Sequence, residues 1–368
     1  MNEKMVLKGR GAVSNPAGRF DAYESVPIDD GWQEGCQAEW QEGEDAPHGA
    51  KPKGPNPKTV FFRDKTRNLI TKNTSPDVPF SQSINPYKGC EHGCVYCYAR
   101  PTHAYLDLSP GLDFETKIFY KTDVERVLRK ALEHPGYECT PIALGTNTDP
   151  YQPGERIYRV TRRILEILIE YRHPITIVTK GALILRDLDL LTEFARMNLV
   201  SANVSITTLD NSLKTKLEPR TASPAARLKT VRALHAAGIP VGVMAAPMIP
   251  FINDHELESI MAASVEAGAR SVSYIFLRLP FEVKDLFAEW LEEHYPMKAE
   301  HVMNRVRDSR RGKAYVAEWG TRMRGEGVFA ELLAKRWEIA AKRLGIFDKQ
   351  FEPLRTDLFR KVEQLHLF

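Results

Sequence analysis

The sequence predicts an α/β fold, a partial (β/α)6 TIM-like barrel with an extension at each end. From about Ser83 onward, six short runs rich in apolar and β-branched residues alternate with longer segments of helical period. This alternation is typical of parallel strands joined by crossover helices. The chain has 368 residues, of which 43% are hydrophobic, so it can bury one core of barrel size.

The predicted strands place several polar residues at one end of the barrel. The six strands are Gln82 to Asn85, Ile142 to Gly145, Ile175 to Thr179, Val200 to Thr207, Val241 to Ala245 and Val272 to Leu277. Side chains at the carboxyl ends of barrel strands face the active site. Thr148 and Asp149 follow the second strand. Lys180 ends the third strand, and Ser205 and Thr207 lie late in the fourth. We therefore expect these side chains to line one site.

Three helices are predicted from apolar residues that recur at three- and four-residue spacing. The first spans Glu155 to Tyr171 and has Ile157 on its apolar face. The second spans Ala225 to Ala237, after a serine N-cap and a proline, and a glycine follows it, as is usual at helix ends. The third spans Val328 to Leu344 and lies beyond the barrel.

The distribution of charge divides the chain into three predicted regions. Residues 1–60 form an acidic extension, mobile or draped, because the first 50 residues carry ten acids against four bases, a net of −6. Residues 80–295 form the barrel. Residues 296–368 form a basic extension that carries the third helix, because from residue 297 onward 16 bases face ten acids, a net of +6.

The chain has no recognisable membrane or export segment. No apolar run approaches the span of a bilayer, and the first 19 residues have no apolar core. We therefore predict a cytoplasmic protein with no membrane partner. The sequence indicates no oligomeric state.

Three of the five cysteines are crowded into eight residues directly after the first strand. Cys90, Cys94 and Cys97 form a C-x-x-x-C-x-x-C pattern, which favours metal binding over disulfide bonds. Gly89 and Gly93 allow the loop to curl until the three thiolates converge. A cubane iron–sulfur cluster with three protein ligands keeps one iron open for a small molecule.

The same spacing leaves a second kind of metal site open. Cys90, Cys94 and Cys97 would also make a zinc site if His92 or His103 supplied the fourth ligand. The other two cysteines, Cys36 and Cys139, stand alone. Each is interpreted as a small buried side chain or an inert thiol.

The cysteine pattern, with the aromatic Tyr96 before its last cysteine, resembles the core motif of the radical S-adenosylmethionine (SAM) superfamily. The segments 85–100 and 147–152 resemble the spore photoproduct lyase-like group of that superfamily, also called DNA repair photolyase-like. The opening Lys8-Gly9-Arg10-Gly11-Ala12 is similar to a bacterial subgroup of it. The resemblance implies a barrel of the radical SAM type.

The resemblance also implies the cofactors and the electron source. Cys90, Cys94 and Cys97 would hold one [4Fe–4S] cluster, whose open iron binds SAM. The reduced cluster would cleave SAM to a 5′-deoxyadenosyl radical. The electron would come from a donor such as flavodoxin or ferredoxin. Only Cys36 and Cys139 remain, so we expect no second cluster.

Individual roles follow from the same resemblance. Thr148, Lys180 and Ser205 would contact SAM, and Tyr96 would pack on its adenine. Tyr96 and Tyr98 match tyrosines that relay the radical. Thr146 aligns with a cysteine that returns a hydrogen atom in the lyase, and its O–H bond is too strong for that step.

Arg220 and residues 244–247 are two further candidate contacts of SAM. Arg220 is expected to pair with the methionyl carboxylate of SAM, and a surface salt bridge with Glu218 is the alternative. Residues 244–247, at the end of the fifth strand, would give an apolar wall for the nucleoside.

Residues 304–327 are expected to form a long loop with one strand at Ala314 to Glu318.

The basic C-terminal region indicates a possible substrate class. Its cations, interleaved with Tyr315 and Trp319, are suited to a phosphate backbone and to base stacking; they are Arg305, Arg307, Arg310, Arg311, Lys313, Arg322 and Arg324. The alternative is that they only solvate a loop.

The leading hypothesis is a radical SAM enzyme acting on DNA or RNA, in repair or base modification. A radical SAM enzyme for a peptide or small metabolite, and a non-catalytic zinc protein, are the alternatives.

Overall fold

A computed structural model describes residues 6–20, 58–349 and 351–361. Its centre is a seven-stranded sheet with the spatial order β10-β9-β8-β7-β6-β3-β2, and a second sheet has the order β1-β5-β4. The strands are β1 (Val60–Asp64), β2 (Ile70–Lys72), β3 (Gln82–Ile84), β4 (Tyr87–Lys88), β5 (Lys117–Lys121), β6 (Ile142–Leu144), β7 (Ile175–Thr179), β8 (Val200–Ser205), β9 (Val241–Met248) and β10 (Ser271–Phe276). The strands from β3 to β10 in the large sheet pair in parallel.

Those six parallel strands lie where the sequence predicted them, so the predicted α/β barrel class is confirmed. Each strand contributes buried apolar residues to the interface with the surrounding helices. The register pairs Ile142 with Ile175, and Ile175 with Val200, which stacks β-branched side chains across the sheet. The added strand β2 runs antiparallel to β3 at the sheet edge and was not predicted.

Helices cover the outside of the sheet and extend beyond it. They are α1 (Asp113–Thr116), α2 (Val124–Leu132), α3 (Glu155–Tyr158), α4 (Val160–Glu170), α5 (Leu188–Arg196), α6 (Asn211–Leu217), α7 (Pro224–Ala236), α8 (Leu257–Glu266), α9 (Val283–His294), α10 (Pro296–Asp308) and α11 (Gly327–Arg343). Short 3₁₀ helices span Arg100–Leu106, Ala182–Asp187 and Asp254–Glu256. In the described part of the chain, no helix combines the length and apolar character needed to cross a membrane.

The predicted helix from Glu155 to Tyr171 is two helices, and that prediction was wrong. The chain breaks at Arg159, whose φ of 49° lies in the left-handed region. The carboxylate of Glu155 accepts hydrogen bonds from Thr161 N (3.0 Å) and Arg162 N (3.2 Å). These bonds satisfy the first N–H groups of α4. Ile157, placed on the apolar face by periodicity, is 74% exposed.

The C-terminal region also differs from its prediction. Residues 304–308 belong to α10, and Ala314 to Glu318 form no strand. Residues 309–326, here called the roof segment, cross the open side of the barrel. Met323 O accepts a hydrogen bond from Phe276 N at 2.9 Å, beside the last strand. Gly320 N donates to Asp77 Oδ1 at 2.7 Å, before the first parallel strand.

The N-terminal extension is packed where the structure describes it. In residues 6–20, Leu7, Ala12 and Val13 are buried, so this part is draped over the protein. Residues 21–57, which carry most of the predicted acidic extension, lie outside the described residues. The division into three regions therefore stays a prediction.

Candidate active site

The loop of the three cysteines begins directly after β4. Cys90 and Cys94 are buried, and Cys97 is half-buried. Gly89 and Gly93 have φ values of 79° and 68°, a region that glycine adopts without strain. A Cβ at Gly93 would lie 2.8 Å from Glu115 Oε2. The loop thus takes the tight curl that the sequence predicted, and it needs glycine at these positions.

Burial and nearby negative charge disfavour the ionised form of two of the three thiols. Burial raises the pKa of Cys90 well above its usual value, and Asp149, Cys94 and Cys97 raise it further. Burial likewise raises the pKa of Cys94, with Glu218 adding to the effect. The raised pKa values keep Cys90 and Cys94 protonated in the absence of a metal, so a metal centre that binds here displaces their protons.

The segment 147–152 clamps the cysteine loop. Gln152 Oε1 accepts a hydrogen bond from Glu91 N at 2.9 Å, and Gln152 Nε2 donates to Gly89 O at 3.2 Å. Thr148 Oγ1 donates to Tyr87 O at 2.8 Å. The two segments that carry the family resemblance therefore hold each other in place, and Thr148 is engaged in this contact.

A buried ion pair supports the loop from its other side. Arg100 Nε donates to Cys94 O at 2.9 Å, and its guanidinium pairs with Glu115 at 2.5 Å. Glu115 also accepts hydrogen bonds from Gly11 N (3.0 Å) and Ala12 N (2.9 Å). The N-terminal strap, residues 6–20, is therefore tied to the same carboxylate that fixes the cysteine loop.

A cavity of about 220 Å³ opens beside this loop, at the carboxyl ends of the parallel strands. It brings together four of the predicted site residues, Tyr96, Tyr98, Lys180 and Ser205, and Thr146 lines it as well. Its apolar wall includes Met244, Ala246 and Pro247, as expected for the end of the fifth strand. The other lining residues are Val78, Phe80, Gly145, Val178, Ile275, Phe276, Leu277, Arg278 and Met323.

Tyr96 belongs to a buried polar network that the sequence did not predict. Its hydroxyl donates a hydrogen bond to Glu218, and Thr207 Oγ1 donates to the same carboxylate at 2.6 Å. Glu218 pairs with the buried guanidinium of Arg227. Burial alone would raise the pKa of Glu218, but Arg227, Lys180 and these hydrogen bonds lower it to about 2. Glu218 is therefore ionised and is neutralised by Arg227 beneath the site.

Lys180 is positioned by Asp149. The backbone N–H of Lys180 donates to Asp149 Oδ2 at 2.7 Å, and Thr179 Oγ1 donates to Oδ1 at 2.7 Å. Burial opposes ionisation of Asp149, but His92 and these bonds lower its pKa to about 2. The ammonium of Lys180 lies 5.9 Å from the ring centre of Tyr96. Asp149 thus acts as a fixed hydrogen-bond acceptor and is not among the residues that line the cavity, in contrast to the expectation from its place after the second strand.

Arg220 does not line the cavity and does not pair with Glu218. Its guanidinium lies 3.0 Å from Glu91 Oε1 and donates to Thr59 Oγ1 at 3.2 Å. The alternative salt bridge is therefore wrong, because Glu218 is buried against Arg227 instead. Of the predicted SAM contacts, Lys180, Ser205 and Tyr96 are gathered at the cavity, whereas Thr148 and Arg220 are not.

The zinc alternative lacks its fourth ligand in this arrangement. His103 Nε2 lies 3.0 Å from Lys117 O, and its ring packs edge-on against Phe114. His92 Nδ1 lies 3.2 Å from Asp149 Oδ2. Among the described residues, no three His, Cys, Asp or Glu side chains are gathered around a single ion position. A cubane spreads its ligands over different irons, so it does not require such convergence.

Comparison with known proteins decides between these alternatives. Residues 84–263 match the family model described as the Radical SAM superfamily. A Mycobacterium tuberculosis protein of uncharacterised function is 39% identical over 260 residues, covering 70% of this chain and 75% of the relative. The chain belongs to the radical SAM superfamily. Radical SAM proteins use a [4Fe–4S] cluster and SAM, and this chain is accordingly a radical SAM enzyme.

Other similarities agree with this family and with the fold. A Methanocaldococcus jannaschii protein of uncharacterised function is 26% identical over 251 residues, covering 68% of this chain and 90% of the relative. A point mutant of spore photoproduct lyase matches with a TM-score of 0.55 at 15% identity, covering 78% of this chain and 80% of the lyase. Another lyase mutant, with bound AdoMet and dinucleoside spore photoproduct, matches with a TM-score of 0.52 at 17% identity, with the same coverage of both chains. These structures share the radical SAM fold of this enzyme.

Proposed function

We propose that Cys90, Cys94 and Cys97 are the ligands of the [4Fe–4S] cluster and that SAM binds in the adjoining cavity. The observation that carries the proposal is the position of three cysteines on one glycine-curled loop, two of whose other residues, Tyr96 and Tyr98, line that cavity. When bound, the reduced cluster supplies the electron that cleaves SAM to a 5′-deoxyadenosyl radical. The donor set fits an iron–sulfur centre, because thiolates are its usual ligands.

The cavity residues would bind and orient SAM. Lys180 offers a compact cation for a carboxylate or ribose oxygen, and Ser205 offers a hydroxyl on the adjacent strand end. Tyr96 would pack on the adenine, with its ring fixed by Glu218. Thr148 and Arg220 would act indirectly, because both are engaged with the loops around the cysteines.

The proposed substrate is a nucleic acid, in DNA repair or base modification. Lyase structures of the same fold hold a dinucleoside lesion. In this chain Tyr98 is 47% exposed at the cavity, and Arg278 lies 5.1 Å from its ring centre. An aromatic face beside a guanidinium suits a base next to a phosphate. Tyr96 and Tyr98 are the candidate radical relay.

The hydrogen-return step would differ from that of a thiol-dependent lyase. Thr146 occupies the cavity wall, and none of the described residues lining the cavity is a cysteine. Cys139 precedes β6, at the end of the strand opposite the cavity. A reaction that ends with hydrogen return from Cys139 is therefore not part of the proposal.

Cluster assignment is tested by anaerobic reconstitution with iron and sulfide. Each reconstituted protein is reduced in the presence of SAM, and 5′-deoxyadenosine is measured. We expect wild type and Cys139→Ala to bind about four irons per chain and to form the nucleoside, and Cys94→Ala to form none. Cys139→Ala is the matched control, since it removes a half-buried thiol away from the loop. Equal activity of Cys94→Ala and wild type would refute the assignment.

Substrate class is tested by adding candidate substrates to the active enzyme. Oligonucleotides with and without ultraviolet lesions, RNA, and peptides are compared, with flavodoxin or ferredoxin as the electron donor. Product formation from a nucleic acid, with binding that weakens as salt rises, supports the proposal. Turnover confined to a peptide or small metabolite would contradict it and favour the alternative.

A further inference from the structure

Arg278, which follows β10, and Arg310, which contacts the adjacent Leu277, have no carboxylate partner among the described residues. Arg278 lines the cavity, and its Nε is buried without a hydrogen-bond partner. Its polar contacts are Met323 Sδ at 3.3 Å and Tyr315 OH at 3.4 Å. Arg310 is 2% exposed, and its Nη2 donates to Leu277 O at 2.7 Å. No described carboxylate lies within ion-pair distance of either guanidinium.

Three neighbouring cations of the same region form ion pairs within the chain. Arg322 pairs with Asp77, and Arg311 pairs with Glu326 at 2.6 Å. Arg305 lies 3.5 Å from Asp308. Three of the seven cations of the predicted nucleic-acid patch are therefore engaged in ion pairs within the chain. Arg278 and Arg310 differ from these three, because they lie at and behind the cavity wall without a described carboxylate partner.

The two unpaired guanidinium groups act on each other. Burial, together with the nearby charge of Arg278, lowers the pKa of Arg310 to about 10. Arg310 lies behind the cavity wall, 5.4 Å from the ring centre of Phe276. A buried cation without a counter-ion is costly. An anion at the cavity would relieve both charges.

We propose that Arg278 binds a phosphate group of the substrate at the mouth of the cavity, with Arg310 supplying positive potential from behind the wall. This proposal deepens the nucleic-acid function and rests on it for the identity of the substrate. The guanidinium of Arg278 lies 5.1 and 6.0 Å from the ring centres of Tyr98 and Tyr315. Its planar N–H fork is suited to two oxygens of one phosphate group.

The position of Arg278 relates the phosphate to the reacting base. Arg278 lies next to Tyr98, an aromatic face on which a base can stack. A phosphodiester held by Arg278 would place a neighbouring nucleotide against Tyr98 and inside the cavity. Met323 of the roof segment lines the same cavity, and Gly320 of that segment is held by Asp77.

The test uses the reconstituted holoenzyme with SAM, under anaerobic conditions. Binding is measured for thymidylyl-thymidine, for its neutral methylphosphonate analogue and for inorganic phosphate. Arg278→Gln and Arg278→Lys are compared with wild type. Arg311→Gln is the matched control, because Arg311 belongs to the same region and is paired with Glu318 and Glu326. Iron content and melting temperature report whether each variant is folded.

We expect Arg278→Gln to weaken binding of the dinucleotide roughly tenfold to 100-fold. Arg278→Lys should recover only part of the loss, because an ammonium lacks the fork. Arg311→Gln should bind like wild type. The neutral analogue should bind wild type as weakly as the dinucleotide binds Arg278→Gln.

The possible results distinguish failure of the phosphate site at Arg278 from failure of the proposed nucleic-acid function. If inorganic phosphate binds through Arg278 but the dinucleotide binds no tighter than phosphate, the anion site stands and the nucleic-acid function fails. If Arg278→Gln binds the dinucleotide and phosphate as tightly as wild type, the anion site is overturned. Continued turnover of nucleic acid by that variant would then leave the proposed function intact.

Discussion

The hydroxyl of Tyr96 donates a hydrogen bond to the carboxylate of Glu218, which is fully buried beneath the candidate active site. This contact joins a residue of the cysteine loop to the segment that follows β8. Arg227 neutralises the same carboxylate from α7 and also donates to Ser205 O at 2.9 Å. One ion pair therefore sets the position of a cavity ring and of a neighbouring strand end.

Glu218→Gln should destabilise the protein strongly. The substitution removes the counter-ion of Arg227, which is 2% exposed, and breaking a buried pair costs about 3–5 kcal/mol. Chemical denaturation of the reconstituted enzyme measures the change. The control is Glu338→Gln, since Glu338 forms an exposed pair with Lys342 and should cost no more than about 0.5 kcal/mol. Equal losses for the two variants would contradict the role of Glu218.

Arg100→Gln should weaken retention of iron. Arg100 is fully buried and donates to Cys94 O, Pro110 O and Gly111 O as well as to Glu115. Glutamine cannot reach four acceptors, so the loop around Cys94 loses its support. Iron per chain after reconstitution is the measurement, taken on the monodisperse fraction. Arg126→Gln, at an exposed ion pair, should retain iron like wild type. Normal iron in Arg100→Gln would refute the positioning role.

Gly11→Ala should loosen the N-terminal strap. An added Cβ would lie 1.7 Å from Gly93 O, and neither backbone can yield without moving the cysteine loop. We expect faster loss of iron in air than in wild type. Gly136→Ala is the control, because its added Cβ meets only His134, at 3.6 Å. Identical rates for both variants would show that the strap does not protect the loop.

The six parallel strands were predictable because each is a buried apolar run, for which sequence periodicity is informative. β1 and β5 were missed because both contain charged and half-exposed residues, as in the sequence VFFRD. The break at Arg159 was missed because it depends on the carboxylate of Glu155 turning back to cap α4. Tertiary contacts of this kind leave no local pattern.

Residues of the candidate site were predictable where they lie at the carboxyl end of a strand. Lys180 and Ser205 were found by that rule and lie at the cavity. The same rule also selected Thr148, Asp149 and Thr207, which are not among the residues that line it. Arg278 follows the sixth strand, so the same rule could have found it. Glu218 could not be found in this way, because it reaches the site from the loop after α6. Its partner Arg227 lies on α7, where a charged residue usually indicates a solvated face.

His173 should make stability depend on pH. It is fully buried, its Nδ1 lies 3.0 Å from Pro174 O, and Tyr137 OH lies 2.6 Å from its Nε2. Burial lowers its pKa to about 4. The unfolded chain binds the proton near pH 6.5, so between pH 6.5 and 4 only the unfolded state is protonated. Stability contributed by the neutral ring is complete above this window and is lost as pH falls through it.

Protonation of His173 determines how steeply the free energy of unfolding should change with pH. As pH falls from 6.5 to 4, His173 should lower the free energy of unfolding by about 1.4 kcal/mol for each pH unit. His103 adds a second contribution, because burial also lowers its pKa to about 4. Urea unfolding from pH 7 to 4 should therefore show a smaller slope in His173→Gln, with lower stability at pH 7. His134→Gln should keep the wild-type slope, since His134 is exposed to water. An unchanged slope in His173→Gln would rule out burial of the neutral ring as the cause.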